Sequence, residues 1–345
     1  MSAYRPPTGF SGSPPLPPQT AKRRHSVWRV ILALIIFLLV IGFGYFGYLV
    51  ARLWQAVQAF TPGPDRLAST TAALVSGPST QRQAILLLGT DYDPRAKPGS
   101  DYAKGLGGRT DVMMLAIFDD VTHRVTLLTL PRDTALAMDR YGRQKINAAA
   151  VLGGPTYAQQ IVERLTGIPI LGYVTFNFLS FQKAVDAVGG VDITLDHPIV
   201  DAGLHANFPA GRQHVDGADA LKLVRFRHDA QGDEGRTARQ RQIVEAVLTK
   251  VMTPSGIGLL PGLLETVSTT SSNNLTAEIL AQLVHANGLH KPRFVQELLP
   301  GENRYVWGGW YYLIDLSKTR NLFDRLWPDH APIDRRLLPD GYTVS

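Results

Sequence analysis

Three carboxylates and two arginines stand where short apolar runs end. Gly89-Thr90-Asp91 follows the run 84–88, Arg109-Thr110-Asp111 precedes the run 112–118, and Pro131-Arg132-Asp133-Thr134 follows the run 125–130. Two carboxylates converging on one point suit Mg²⁺, which takes oxygen ligands and keeps several waters or phosphate oxygens. The plainer reading of each Asp alone is the cap of a turn or helix. A second group spans Lys222, Arg225, Arg227, Arg236, Arg239 and Arg241. Arg225 and Arg227 share a face in an extended segment, and Arg236 and Gln240 share a face of a helix starting near Glu234. Guanidinium forks match phosphate oxygens bidentately, so these residues could cradle a diphosphate. Ion pairing with Asp229, Asp233 and Glu234 on a solvated surface is the alternative.

Other chemistries find little support. The chain has no cysteine, which excludes disulfides, thiolate-bound metal and thiol catalysis. It carries no Walker or dinucleotide fingerprint and no Gly-x-Ser-x-Gly elbow, and its nine histidines lack metal-binding spacing. Gly153-Gly154 and Gly189-Gly190 read as turns. Trp307, Trp310, Tyr311 and Tyr312 could stack sugars, although an aromatic strand packed on the core is the favoured reading. Phe176, Phe178 and Phe181 could line a lipid tunnel, with core packing as the default.

These residues need a scaffold. Strands are expected at 84–88, 112–118, 125–130, 173–176, 191–195 and 294–299. Helices are expected at 148–152, 156–165, 178–188, 216–224, 234–252, 259–267 and 277–287. Their alternation predicts an α/β sandwich around a central mixed sheet over residues 84–330, followed by a tail at 331–345.

The N-terminal part differs in character. Residues 1–20 hold six prolines, and the tail 1–29 reads as disordered. Residues 30–51 are uncharged and apolar, long enough as a helix (about 33 Å) to cross a bilayer. Four basic residues precede this span and only Arg52 follows closely, which places the N-terminus in the cytoplasm and the rest outside. A cleaved signal peptide fits less well, because the run is long and ends in bulky residues. Residues 52–83 read as a membrane-proximal linker. The six basic residues of positions 1–60 account for the whole excess: removing them from 35 leaves 29 basic against 29 acidic residues. A nucleic-acid-binding domain is therefore not expected.

Taken in order, these segments resemble the LytR–CpsA–Psr family of bacterial cell-wall enzymes. The likeness runs through Leu88-Gly89-Thr90-Asp91, Arg109-Thr110-Asp111, Leu130-Pro131-Arg132-Asp133-Thr134 and Lys145-Ile146-Asn147-Ala148-Ala149. It continues through Val185 to Val191, Leu221 to Arg227, Gly235 to Gln240 and Tyr312 to Ser317. A threonine stands at Thr129 where the family often has serine. The resemblance implies a phosphotransferase that moves a glycopolymer, with one phosphate, from a polyprenyl-diphosphate carrier onto a peptidoglycan sugar hydroxyl at the cell membrane. It implies Mg²⁺ or Mn²⁺ on Asp91 and Asp111, and the diphosphate on Arg109, Arg132, Arg225, Arg227, Arg236 and Gln240. Asp133 would accept the hydroxyl proton or orient Arg132. A hydrolase acting on the same lipid, or a non-catalytic anchored sensor or scaffold, are the alternatives.

Overall fold

Alternation along β1 (Arg82–Thr90) sends Ala84, Leu86 and Leu88 to one side of a sheet and Ile85 and Leu87 to the other. The computed structural model describes residue 51 and residues 82–90, 110–226, 232–253, 256–276, 279 and 292–339. Apart from Ala51, the expected span 30–51 lies outside them, as do most of the linker and nearly all of the helix expected at 277–287. Among the described residues no helix is long and apolar enough to cross a membrane.

The next elements are β2 (Thr110–Asp119), β3 (Arg124–Thr129), β4 (Ala135–Met138) and β5 (Gly142–Lys145). Helix α1 (Ala149–Thr166) breaks at Gly154, whose φ of 80° precedes Pro155, so the two expected helices are two parts of one kinked element. Then come β6 (Gly172–Phe176), α2 (Phe178–Ala187), β7 (Val191–Leu195), β8 (Ile199–Asp201), β9 (Ala206–Phe208) and β10 (Gly211–Val215). They are followed by α3 (Gly217–Arg225), α4 (Gly232–Val251), α5 (Leu260–Thr270), β11 (Ser272–Asn273) and β12 (Arg293–Leu298). Strands β13 (Gly301–Val306) and β14 (Gly309–Ile314) precede α6 (Leu316–Leu326).

Six strands form the mixed central sheet in the order β11-β6-β1-β2-β3-β12. β2 is antiparallel to β1 and β3, whereas β6 and β12 run parallel to β1 and β3. One face of the sheet packs Leu86, Leu115 and Ile117 against Ile161 and Leu165 of α1 and Phe323 of α6. The other packs Leu87 and Met114 against Val244 and Leu248 of α4, and Ile85 against Leu264 and Val267 of α5. Truncating one such fully buried leucine to alanine costs roughly 2–5 kcal/mol. The expected strand 191–195 forms, but it pairs with β10 in a separate ribbon rather than joining the central sheet.

Candidate active site

Parallel and antiparallel pairing bring the C-terminal ends of β1, β3 and β6 and the start of β2 to one edge of the sheet. Gly89 and Thr90 end β1, at a register shift. A Cβ on Gly89 would come within 2.9 Å of Val112 Cβ, so glycine is what allows β2 to pass so close. Asp111 opens β2, and Arg132 and Asp133 follow the Pro131 that stops β3. Asn177 closes β6 and caps α2 through a capping box with Ser180.

These residues surround the mouth of a cavity of about 1120 Å³ between the sheet and helices α2, α4 and α5. That exceeds the roughly 300–1,000 Å³ of drug-sized sites. Its lining changes character along α4 and along the sheet, whereas α2 and α5 contribute apolar side chains alone. On α4, Arg236 and Gln240 give way to Ile243, Val244, Val247 and Leu248, and from Arg236 to Leu248 the helix rises about 18 Å. On α2, Phe178 leads to Phe181, Ala184 and Val185, while on the sheet Thr90 and Asp111 lead to Leu87 and Met114. A cavity charged at one end and apolar along its length fits an amphiphile with an anionic head.

The charges at the mouth are ordered in pairs. Arg132 Nη1 donates to Asp111 Oδ1 at 2.7 Å, and Lys145 Nζ lies 2.6 Å from Asp133 Oδ1. Arg132 Nε is 3.6 Å from Asp133 Oδ2, too far for a hydrogen bond. Asp111 is therefore the carboxylate that holds Arg132, and Asp133 is held chiefly by Lys145. Arg225 ends α3 with its guanidinium 4.8 Å from the centre of the Phe178 ring. Arg236 is only 3% exposed, and a guanidinium so desolvated attracts an anion more strongly than one in water.

The structure thus brings Asp111, Arg132, Asp133, Arg225, Arg236 and Gln240 to one cavity. Asp91, Arg109 and Arg227 lie outside the described residues. Two expectations are corrected. Arg225 belongs to α3, which leaves helical geometry only at Phe226, so the extended segment begins one residue later than expected. Phe176, Phe178 and Phe181 line the cavity, while Phe176 and Phe181 also pack against the buried core, so core packing is only part of their role. The cationic cluster also divides. Arg239 turns inward and donates to the carbonyls of Leu223 at 3.1 Å and Phe226 at 2.7 Å, closing the end of α3. Lys222 pairs with Asp219 on its own helix at 2.7 Å.

Lys145 and Asn147 also line the cavity, although residue-type reasoning gave them no role. Their only signal was their place in a motif of the resemblance. The four aromatics 307–312 do form a strand and turn, but only Tyr312 is buried, with its hydroxyl donating to Leu299 O at 2.6 Å. Burial pushes that phenol up to about 12.

As a metal site the described residues offer hard oxygen donors but no cluster of three acidic or histidine groups. That donor set still fits Mg²⁺, which needs only one or two carboxylates when phosphate oxygens complete its shell. Asp111 is the described candidate.

The fold is an α/β sandwich whose largely apolar cavity opens on arginines and carboxylates. Residues 62–327 match the LytR_cpsA_psr family, and the chain belongs to it. It is 31% identical over 248 residues to the polyisoprenyl-teichoic acid–peptidoglycan teichoic acid transferase TagU of Bacillus cereus, covering 70% of this chain and 77% of that one. It is 31% identical over 263 residues to the enzyme named TagV, of the same stated activity, from Bacillus subtilis, covering 71% and 63%. The crystal structure of Bacillus subtilis TagV superposes with a TM-score of 0.60 at 26% identity, over 73% of this chain and 99% of that one.

Proposed function

We propose that this chain transfers a glycopolymer, with one phosphate, from a polyprenyl-diphosphate carrier onto a sugar hydroxyl of peptidoglycan. The observation that carries this is the polarity gradient of the cavity. Its apolar length suits a polyprenyl chain, and its mouth suits a diphosphate. The relatives named above are transferases of polyisoprenyl-linked teichoic acid to peptidoglycan, which supports the same donor and acceptor classes here.

In the reaction the acceptor oxygen forms a bond to the glycan-side phosphorus, and the bridging P–O bond breaks to release polyprenyl phosphate. Arg132, Arg225 and Arg236, with Arg109 and Arg227, hold the diphosphate oxygens and neutralise charge that grows as the bridge breaks. Gln240 donates a neutral hydrogen bond to the same group. Asp111 fixes the Arg132 fork, and Asp133, tied to Lys145, keeps both cations aimed at the mouth. A loose transition state asks for little base assistance, so the hydroxyl proton leaves to water after attack. Mg²⁺ or Mn²⁺ held by Asp111 and Asp91 would shield the carboxylates from the diphosphate and stabilise the leaving phosphate.

This reading places the catalytic unit outside the cell, on a single-pass anchor with a cytoplasmic N-terminus. The charge asymmetry around residues 30–51 supports it. Protease added to intact spheroplasts should degrade the domain after Arg52, and protection in sealed cells would contradict that topology. The activity itself is tested with the purified chain and a polyprenyl-diphosphate-linked glycan. Release of polyprenyl phosphate should depend on added peptidoglycan and stop in EDTA. Release at the same rate without acceptor would make the protein a hydrolase instead.

A further inference from the structure

Among the described residues, the aromatic side chains exposed to solvent are Tyr305, Trp307 and Trp310, and all three belong to the β13–β14 hairpin. Tyr305 and Trp310 are register partners, with ring centres 5.7 Å apart and each side chain 63% exposed. Tyr311, the next residue along the strand, faces the opposite way, and Trp307 lies 5.6 Å from it. The hairpin therefore carries an aromatic pair on each face.

The Trp307–Tyr311 face adjoins the mouth. The Tyr312 N–H donates to Asp133 O at 2.8 Å, and Thr134 bridges to Tyr312, so β14 runs beside the backbone that carries Arg132 and Asp133. Lys145, the partner of Asp133, reaches within 5.5 Å of the centre of the Tyr311 ring. Arg143, two residues earlier on β5, covers Trp307 at 4.1 Å. Trp307 itself occupies a turn position with φ of 54°, followed by Gly308 at φ of 77°. Such turns favour Asn, Asp or Gly, and local folding does not ask for an exposed tryptophan there.

We propose that the Trp307–Tyr311 face, rimmed by Arg143, seats the acceptor glycan and presents one sugar hydroxyl beside Asp133 and Lys145. This rests on the transfer reading above and names where its acceptor lies. Flat rings offer stacking to the C–H faces of pyranoses, while Arg143 and Lys145 donate to hydroxyl and amide oxygens. Glu302, Asn303 and Arg304 run exposed along the adjoining strand. That polar strand suits a hydrated sugar chain better than a bilayer, which a purely apolar face would enter.

The test needs no lipid donor. Full-length protein in detergent is mixed with purified peptidoglycan stripped of attached polymers, and the sedimented fraction is measured. The parent chain should sediment, and Trp307→Asn should reduce retention at least tenfold even though Asn suits the left-handed turn. Trp307→Tyr should restore most of it, and Trp310→Ala, on the other face, should stay within twofold of the parent. Parental retention by Trp307→Asn would overturn the proposal. So would retention that survives while adhesion to phosphatidylglycerol vesicles is lost, because the face would then meet membrane. When the polyprenyl-diphosphate donor is then added, a parent chain that sediments but transfers nothing would sink the transfer reading alone. A parent that transfers but loses nothing in Trp307→Asn would sink only the platform.

Discussion

Arginines fourteen residues or fewer apart do different work here, and their contacts separate them. Arg225 and Arg236 line the cavity, whereas Arg239 holds two backbone carbonyls at the end of α3. Charge-assisted contacts are worth about 1.5–3 kcal/mol each. Arg225→Ala should therefore weaken binding of a polyprenyl-diphosphate donor about tenfold or more, with a melting temperature near that of the parent. Arg239→Ala should do the reverse at first, lowering the melting temperature by several degrees because buried carbonyls lose their donors. Calorimetry beside donor titration checks both, and equal losses of stability in the two variants would erase the distinction. The sequence made the guanidinium cluster legible but not this division. Spacing shows which residues share a helix face, and only packing decides which face meets a void. Lys145 was hidden for a related reason, since it sits on the four-residue strand β5, too short to leave a pattern.

The longer elements were legible: the strands β1, β2, β3 and β6 and helices α2 and α4 lie within a few residues of where apolar runs and amphipathic patterning put them. Short hairpins such as β4–β5 and β8–β9 were not, because three or four residues cannot distinguish a strand from a turn. Nor could apolar periodicity reveal the cavity. The same Phe178, Phe181 and Val185 spacing serves a filled core or an empty one. Filling the space is therefore an informative change. Ala184, on the wall of α2, is buried and borders the cavity. If the proposed donor fills this space, Ala184→Phe should cut donor affinity about tenfold or more while leaving thermal stability unchanged or slightly raised, as cavity filling does. A marked fall in stability with donor affinity intact would mean that the space is closed packing.

Across the whole molecule, the C-terminal segment is fastened to α1 by Asp334. Its carboxylate accepts from Arg336 and from Arg164 Nε, each at 2.9 Å, and these hydrogen bonds hold it well below the usual carboxylate range. Because the folded value is depressed, this contribution is fully present above about pH 3.9. It is lost as pH falls through the lower folded value. Asp334→Asn should cost about 1–2 kcal/mol at pH 7, toward the lower end of charged hydrogen bonds because Arg336 is exposed. Denaturant melts should show the gap from the parent closing on acidification, and a gap independent of pH would contradict the linkage. The covalent product is the most direct readout of the proposed transfer. Purified full-length protein, polyprenyl-diphosphate-linked glycopolymer, peptidoglycan and Mg²⁺ are incubated together, the wall is digested with muramidase, and the fragments are weighed by mass spectrometry. Transfer gives fragments heavier by the glycopolymer joined through a single phosphodiester, in equal amount to the polyprenyl phosphate released, and absent for Arg225→Ala. Glycopolymer phosphate released free in solution, with unmodified wall fragments, would contradict it.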